Sequence, residues 1–284
     1  MEYSNFEKNN KIYSGTEKKI GVTINSDDYI IKFQKQTRFG LRNNHISEYI
    51  GCKIFESLKI NVQEAVLGTF EGEPVVVVKD FIGPNQNFVS FNDVGESSIE
   101  EDREKFTYSY EDITEILLCN NKLDNPEDTI EMFWTIYIVD ALLGNFDRHG
   151  GNWGFVKKNG IYTLAPVFDN GSCLYPNLTD LDEMRNIIDS NEETDKRIYK
   201  FPTSQIHVNN RKSSYFDVIS SMEYEECNKA LVRVCQLIDI LRINVIIGNT
   251  KFISDIQKTF YKHMIYNRFE KIIRYSYKRL GMKK

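Results

Sequence analysis

Three side chains between Gly144 and Leu174 have the chemistry and the spacing to act together. Asp147 precedes Asn152 by five positions, and Asp169 follows Asn152 by seventeen. Carboxylate and amide oxygens are hard ligands that suit magnesium, and a carboxylate beside an attacking hydroxyl can take its proton. Transfer of a phosphoryl group from a nucleotide needs both features. The three residues therefore predict a site for magnesium-assisted phosphoryl transfer.

A short β-hairpin is predicted between the two ends of this stretch. Two strand-like runs, 153–156 and 161–164, are joined by a turn that contains glycine. A hairpin of this length brings its flanking loops together, so we expect Asp147 and Asn152 to converge with Asp169. Each residue alone has an ordinary alternative, because Asp147 and Asp169 are common turn formers and Asn152 can cap a loop. Their joint spacing favours a single site.

The elements before this stretch read as a small antiparallel sheet with one helix. Two β-branched runs within residues 19–33 are separated by turn-forming residues, which predicts a hairpin. Over residues 44–58, large aliphatic side chains recur every four positions, which predicts a helix. Two more strand-like runs follow at 64–70 and 74–78, joined across a glycine.

Longer helices are predicted after this sheet. Asn125-Pro126 is a strong helix start, and the apolar run 129–143 that follows it suits a buried helix. The last sixty residues read as two long helices interrupted at 248–250. We therefore predict an α+β chain with two lobes. Residues 1–82 would form a small lobe of antiparallel sheet and one helix, and residues 83–284 a larger, mainly helical lobe with the catalytic and metal-binding loops.

Composition excludes several classes of function. The 284 residues carry 36 Lys and Arg against 41 Asp and Glu, a net charge of -5, which argues against a surface built for nucleic acid or anionic lipid. Five cysteines without a C-x-x-C pair indicate neither a disulfide framework nor a zinc site. The sequence has no apolar leader and no uninterrupted apolar run of about 18 residues, so the cytoplasm is the default location.

Three motifs resemble those of HipA-like serine/threonine kinases, which belong to the phosphoinositide-kinase-like superfamily. They are D-R-H-x-x-N at 147–152 followed by F-D-N-G, S-G-T-E-K-K at 14–19, and Y-I-I-K-F at 29–33. The resemblance spans residues 12–175. It implies a two-lobed protein-kinase-like fold, ATP and Mg²⁺ as cofactors, and transfer of the γ-phosphate to Ser or Thr of a protein substrate, with autophosphorylation. It also implies non-classical export into a host cell.

The resemblance also assigns roles to individual residues. It implies nucleotide contacts by a phosphate loop, by a strand lysine with its helix glutamate, and by a hinge beside the adenine: Ser14, Gly15, Thr16, Lys32, Glu48, Lys79, Asp80 and Phe81. It implies that Asp147 accepts or orients the substrate hydroxyl, with His149 and Asn152 as further members of the catalytic loop. Asn152 and Asp169 would hold the magnesium ion.

Several features leave alternatives open. The phosphate loop is no G-x-G-x-x-G, and D-N-G replaces the kinase D-F-G, so we expect no switch driven by a phenylalanine. Lys32 could keep its ammonium in water, and His149 could bond a loop carbonyl instead of sharing proton transfer. Helix phase alone favours Glu48 over His45, Ser47 or the more distant Glu56. A lipid or small-molecule kinase and a nucleotide-binding pseudokinase are the alternative functions.

The C-terminal end of the chain is basic. Residues 262–284 hold eight Lys or Arg and one acidic residue, Glu270. Such a run is usually a solvated helix face, although it could dock a partner. Ser14 is a candidate site of autophosphorylation, because a phosphate there would repel a bound nucleotide. No oligomeric state is predicted.

Overall fold

The computed structural model describes residues 1–11, 13, 18–38, 40–96, 108–208 and 211–282, apart from the side chains of residues 95 and 96. The strands within these ranges are β1 (Glu7–Lys8), β2 (Lys19–Ile24), β3 (Asp27–Lys32), β4 (Gln36–Thr37), β5 (Gly40–Leu41), β6 (Ala65–Phe70), β7 (Glu73–Lys79), β8 (Asn87–Ser90), β9 (Gly154–Lys158), β10 (Ile161–Leu164), β11 (Thr203–Val208) and β12 (Arg211–Ser214). The helices are α1 (Asn44–Ser57), α2 (Phe91–Glu96), α3 (Tyr110–Cys119), α4 (Pro126–Leu143), α5 (Leu181–Asp189), α6 (Asn191–Tyr199), α7 (Tyr215–Ser221), α8 (Glu225–Leu237), α9 (Ile240–Gly248), α10 (Asp255–Arg268) and α11 (Tyr275–Met282), with a π-helical segment at Phe269–Arg274.

A five-stranded antiparallel sheet dominates the N-terminal part of the chain, with strand order β1-β2-β3-β7-β6. It contains both hairpins predicted from the sequence. Successive side chains of a strand point to opposite faces, so each strand contributes to two packing layers. One face carries an apolar cluster built on Tyr3, Val22, Ile31, Phe70, Val75 and Val77. The other packs Val76, Val78 and Ile30 with Cys52 of α1.

Helix α1 forms where the four-residue aliphatic repeat predicts it. Ile46, Ile50 and Ile54 are fully buried, since residues four apart share one face of a helix. The helix ends at Ser57, and Lys59 then adopts a left-handed backbone conformation with φ of 60°. The helix therefore leads the chain directly from β5 to β6 while it packs on the sheet.

Helix α4 is the long buried helix expected from the sequence. Asn125 caps it by accepting a hydrogen bond from the backbone N–H of Asp128, and Pro126 occupies its first turn. Gly144 ends it with φ of 64°, a left-handed conformation that glycine adopts without strain. The predicted hairpin follows as β9 and β10, which pair in register from Lys158–Ile161 to Phe155–Leu164 and continue through β9 to β8.

The prediction of two long helices near the C-terminus is wrong in its first half. Helix α8 ends at Leu237 and α9 begins at Ile240. Asp239 separates them because its carboxylate accepts hydrogen bonds from the backbone N–H groups of Leu241 and Arg242. An aspartate in this position starts a new helix. In its second half the prediction is confirmed, since α10, the π-helical segment and α11 follow one another without a break.

The chain packs as two compact units, each assembled from three separate segments. The first unit comprises Met1–Phe81, Pro166–Ser190 and Asp239–His263; the second comprises Ile82–Ala165, Asn191–Ile238 and Met264–Lys284. One junction between units falls beside the predicted lobe boundary. The two later segments of the first unit nevertheless pack with the N-terminal residues. The division into lobes at 1–82 and 83–284 stays a prediction.

The α+β class predicted from the sequence is confirmed by a small antiparallel sheet followed by a mainly helical remainder. Among the helices that the structure describes, none has the length and apolar character to cross a membrane.

Candidate active site

A buried charged cluster in the first unit joins Lys32, Glu48 and Asp169. Lys32 is the last residue of β3, and its Nζ lies 3.1 Å from Glu48 Oε1 and 3.6 Å from Asp169 Oδ1. The Lys32 and Glu48 side chains are 9% and 2% exposed, whereas Asp169 is 38% exposed. The ammonium therefore does not reach into water. Lys32 and Glu48 form the inner part of the cluster, and Asp169 is its solvent-facing member.

Electrostatics keep Lys32 charged in this position. Burial alone lowers the pKa of Lys32, but the opposite charges of Glu48 and Asp169 raise it more, so that the pKa lies above its usual range. A lysine held charged between two carboxylates is poised to exchange one of those contacts for another anion.

Helix phase selects Glu48 from the acidic residues of α1. Glu56, its rival in the sequence, lies two turns further along and pairs with Lys53 at 2.8 Å on the exposed side of the helix. His45 and Ser47 are buried beside Glu48, but Glu48 is the residue that meets Lys32. Of the two acidic candidates, Glu48 is thus the one placed at the strand lysine.

The D-N-G turn is held against α1 by close packing. Asn170 is fully buried, and its Nδ2 donates to Cys52 Sγ at 3.3 Å. A Cβ on Gly51 would lie 2.6 Å from Asn170 Cβ, so only glycine lets the turn approach the helix this closely. Asp169 itself has φ of 57°, a left-handed conformation that aspartate tolerates better than most residues. The asparagine that replaces the kinase phenylalanine therefore fastens the turn.

The predicted catalytic loop of the second unit is built on a buried ion pair. Arg148 donates from Nε to Asp140 Oδ2 at 2.9 Å and from a terminal nitrogen to Asp140 Oδ1 at 3.1 Å, a bidentate arrangement. Asp140 lies in the last turn of α4 and is 1% exposed. Asn145 connects the same carboxylate to the loop, because its Nδ2 donates to Asp140 at 3.0 Å and its Oδ1 accepts from the backbone N–H of Asp147 at 3.0 Å. This network fixes the backbone on both sides of Asp147.

Asp147, His149 and Asn152 are neighbours at the surface of this loop. Asn152 donates from Nδ2 to the Asp147 carbonyl at 2.7 Å, which turns the amide so that Oδ1 is its remaining acceptor. His149 accepts a hydrogen bond at Nδ1 from the backbone N–H of Gly151 at 3.0 Å. Its Nε2 lies 4.0 Å from Asp147 Oδ1. Asp147 and His149 are both close to half exposed, so a substrate hydroxyl can reach the carboxylate.

The predicted hinge residues, Lys79, Asp80 and Phe81, have contacts with the sheet and with Phe168. The backbone N–H groups of Lys79 and Asp80 donate to the carbonyls of Glu64 and Asp28, both at 2.9 Å, so the sheet already uses these two donors. Lys79 points outward and pairs with Asp27 at 2.7 Å. The ring of Phe81 lies 5.6 Å from that of Phe168, the residue before Asp169. The predicted hinge and the segment before Asp169, both in the first unit, thus meet through two aromatic rings.

Ser14, Gly15 and Thr16, predicted to form the phosphate loop, lie outside the described residues. Asp169 belongs to the first unit, whereas Asp147 and Asn152 belong to the second. Their convergence around one metal ion therefore stays a prediction, and so do the individual roles of all the site residues.

The donor atoms at these positions suit magnesium bound together with a nucleotide. Among the residues the structure describes, no group of three or more His, Cys, Asp or Glu side chains could hold a metal by itself. Magnesium does not need such a cage, since it is usually bound by one or two carboxylates together with substrate phosphates and water. The carboxylate of Asp169 and the amide oxygen of Asn152 are ligands of this kind.

Sequence reasoning missed the residues that support the site, above all Asp140, Asn145 and Gly51. A signal for Asp140 was present, since it is the only Asp, Glu, Lys or Arg in the apolar run from residue 132 to 143. A charge inside a buried helix requires a partner. Neither Asn145 nor Gly51 stands out from an ordinary loop asparagine or helix glycine in the sequence.

The chain is similar in sequence to a known family and to a named kinase. A model of the HipA-like C-terminal domain matches residues 12–239. The serine/threonine-protein kinase CtkA of Helicobacter pylori strain J99 is 35% identical over 262 residues, which is 90% of this chain and 80% of that protein.

Solved structures agree with the sequence comparison. The crystal structure of the Helicobacter pylori proinflammatory kinase CtkA superposes with a TM-score of 0.90 at 33% identity, covering 100% of this chain and 99% of that one. HipA from Shewanella oneidensis MR-1, solved with HipB and operator DNA, superposes with a TM-score of 0.61 at 15% identity, covering 94% and 67%. The second likeness concerns the fold alone. The predicted kinase-like fold is confirmed: the chain belongs to the HipA-like C-terminal domain family and is a kinase.

Proposed function

We propose that this chain is a serine/threonine-protein kinase that transfers the γ-phosphate of ATP with Mg²⁺ and phosphorylates itself as well as other proteins. The observation that supports the proposal is the cluster of Lys32, Glu48 and Asp169, because it joins a cation suited to phosphate with a carboxylate suited to magnesium. The name of the 35% identical relative supports the choice of serine and threonine as acceptors.

In the first unit, Lys32 would bind the phosphate oxygens of the nucleotide. Glu48 would hold the ammonium in place from the side away from solvent, since it is nearly inaccessible while Asp169 is partly exposed. Asp169 would bind the metal together with Asn152. When bound, magnesium neutralises charge that develops on the transferred phosphoryl group.

In the second unit, Asp147 would accept the proton of the substrate hydroxyl or orient that hydroxyl for attack. The Asp140–Arg148 pair and Asn145 keep its backbone in place, so little reorganisation is needed at the moment of transfer. General-base assistance of this kind contributes a factor on the order of 10² to 10⁴. His149 is 4.0 Å from the same carboxylate and would be the alternative proton acceptor.

A phosphate-transfer assay with variants of the full chain tests the proposal. Purified protein should transfer label from γ-labelled ATP to itself and to a generic protein in the presence of Mg²⁺. Asp147→Asn and Asp169→Asn should each abolish transfer without lowering the melting temperature, whereas Asp182→Asn, at an exposed surface pair with Arg185, should leave transfer unchanged. Full transfer by either site variant would refute the assignment.

The same protein distinguishes the alternative functions. Transfer to phosphoinositide vesicles but not to protein would indicate a lipid kinase. Stabilisation by ATP without any transfer would indicate a pseudokinase. Mass spectrometry of the autophosphorylated chain tests Ser14 as the modified residue. Docking by the basic C-terminal end stays a prediction, although Lys271 and Arg274 there already pair with Asp195 and Glu270.

A further inference from the structure

One face of the five-stranded sheet carries Lys32 and continues from it toward the hinge. Residues directly opposite in an antiparallel sheet share a face, as do alternate residues of one strand. Lys32, Ile30 and Asp28 of β3 therefore share a face with Gly21, which pairs with Ile30. Asp28 also accepts the backbone N–H of Asp80, so this face ends at the hinge.

Asn9 and Tyr13 lie over this face. The backbone N–H of Asn9 donates to the carbonyl of Gly21 at 3.0 Å, alongside β2. A Cβ on Gly21 would lie 2.9 Å from Cε2 of Tyr13 and would collide with the Asn9 side chain. Glycine is therefore required at position 21, and the Tyr13 ring occupies the space that a larger side chain would fill.

Lys11 and Tyr13 each donate a hydrogen bond to Asp80. Tyr13 donates its hydroxyl to Asp80 Oδ2 at 3.3 Å, and Lys11 donates to the same oxygen at 2.8 Å. Lys11 also pairs with Asp28 of β3 at 3.0 Å. The Asp80 side chain is only 7% exposed. Burial, together with the Asp80 charge, raises the pKa of Tyr13 to about 12, so the phenol remains a donor at neutral pH.

The separation between the two ends of this face matches one nucleotide. Asp28, at the hinge end of β3, and Lys32, at the phosphate end, are four positions apart. At about 3.3 Å per residue this corresponds to roughly 13 Å, the scale of a nucleoside with its first phosphates. An aromatic ring fixed at the hinge end is suited to stack on a base, and such contacts are tolerant of base identity.

We propose that Tyr13 is a nucleobase-stacking residue of the nucleotide site, with Asp80 and Lys11 as the residues that position its ring. The inference rests on the proposed function, since it assumes that the phosphates bind at Lys32. In this arrangement Asp80 does not contact the base; it fixes the Tyr13 ring by accepting the hydrogen bond of the tyrosine hydroxyl. Gly21 contributes as well, because the absence of a side chain there leaves space for the ring.

Calorimetric titration of the full chain with adenosine, Mg-ATP and tripolyphosphate tests this role. Tyr13→Ala should weaken adenosine and Mg-ATP by the same factor, about tenfold or more, and leave tripolyphosphate unchanged. Tyr13→Phe keeps the ring and should stay within about threefold of the parent. Tyr29→Ala removes a partly buried tyrosine from the opposite face of the same sheet and should leave all three affinities unchanged.

The adenosine affinity of the Tyr13 variants decides whether the ring stacks on the base. Unchanged adenosine affinity in Tyr13→Ala would overturn the proposal, and so would tighter binding, which would show that the ring blocks the base position instead of stacking on it. If Tyr13→Ala does not fold, Tyr13→Leu keeps the apolar volume without the aromatic ring and should show the same loss. A parent chain that binds none of the three probes would refute the proposed function itself. A parent that binds them, together with a Tyr13→Ala variant of unchanged affinity, would refute only the role of Tyr13.

Discussion

Replacing Lys32 by methionine removes the ammonium that lies 3.1 Å from Glu48 and 3.6 Å from Asp169 while keeping an unbranched side chain of similar length. Glu48 is 2% exposed and loses its Lys32 partner, so its charge stays buried without compensation from that cation. Breaking a buried pair in this way costs about 3–5 kcal/mol, out of a total stability of about 5–15 kcal/mol. For a chain of this size the loss corresponds to a fall in melting temperature on the order of 10 °C.

The second substitution separates stability from function. In Lys32→Met/Glu48→Gln the buried charge is gone as well, so most of the lost stability should return, because replacing both partners of a buried pair is often nearly neutral. Phosphate transfer should remain absent, since the Lys32 ammonium that would bind the nucleotide phosphates has been removed. Lys53→Met, Glu56→Gln and their double variant provide the control on the same helix, where an exposed pair contributes about 1 kcal/mol or less.

Thermal melts and denaturant titrations of these variants, with the γ-phosphate transfer assay run in parallel, give both readouts. The coupling energy of the Lys32–Glu48 cycle should be several times that of the Lys53–Glu56 cycle. Equal destabilisation by the single and double variants at Lys32 and Glu48 would refute the electrostatic reasoning. Transfer at the parent rate in Lys32→Met would refute the phosphate role of the lysine.

Three further predictions concern other parts of the molecule. Gly51→Ala should lower both stability and transfer because its Cβ would meet Asn170, whereas Gly281→Ala in α11, where no atom lies near, should be neutral or stabilise by up to about 1 kcal/mol in thermal melts. Asp140→Ala leaves the Arg148 side chain without its bidentate partner, so it should lower the free energy of unfolding by about 3–5 kcal/mol and also lower kcat. In the control Glu270→Ala, from an exposed pair with Arg274, the free energy of unfolding should change by about 1 kcal/mol at most and kcat by about twofold at most. Burial lowers the pKa of His45 from 6.5 to about 4, so the unfolded chain binds this proton first and the free energy of unfolding should fall as pH drops from 6.5 toward 4, by up to about 3 kcal/mol. His45→Gln should flatten that dependence between pH 6.5 and 5 in denaturant titrations, and an unchanged slope would contradict the assignment.

The local part of this structure could be predicted from the sequence because its signals are short in range. The repeat of Ile46, Ile50 and Ile54 sets the phase of α1, and that phase places Glu48 on the side of Lys32. Asn125 and Gly144 mark both ends of α4 by their own backbone and side-chain chemistry. Asp239 is also a local signal, since it caps α9, but the apolar pattern on both sides of it favours one continuous helix.

Long-range contacts account for what the sequence did not predict. The hinge prediction for Asp80 stays untested, and nothing in the sequence indicates that its carboxylate binds Lys11, 69 positions earlier in the chain. Cys52 meets Asn170 across 118 positions, and no local pattern connects the two. The membership of residues 166–190 and 239–263 in the first unit is of the same kind, since it depends on which surfaces pack and not on propensity.

Because the first unit consists of three separate segments of the chain, it can be completed only late in synthesis. Domains generally fold as units during synthesis, and a domain near the N-terminus can fold first because it emerges first. Here α1 packs against α9, and the ring of Tyr175 lies 5.9 Å from that of Phe260, so the core of the first unit closes only after residue 263 has left the exit tunnel. A nascent chain stalled near residue 190 would expose the α1 surface that α9 covers, and a fragment ending there is a poor choice for producing the first unit on its own.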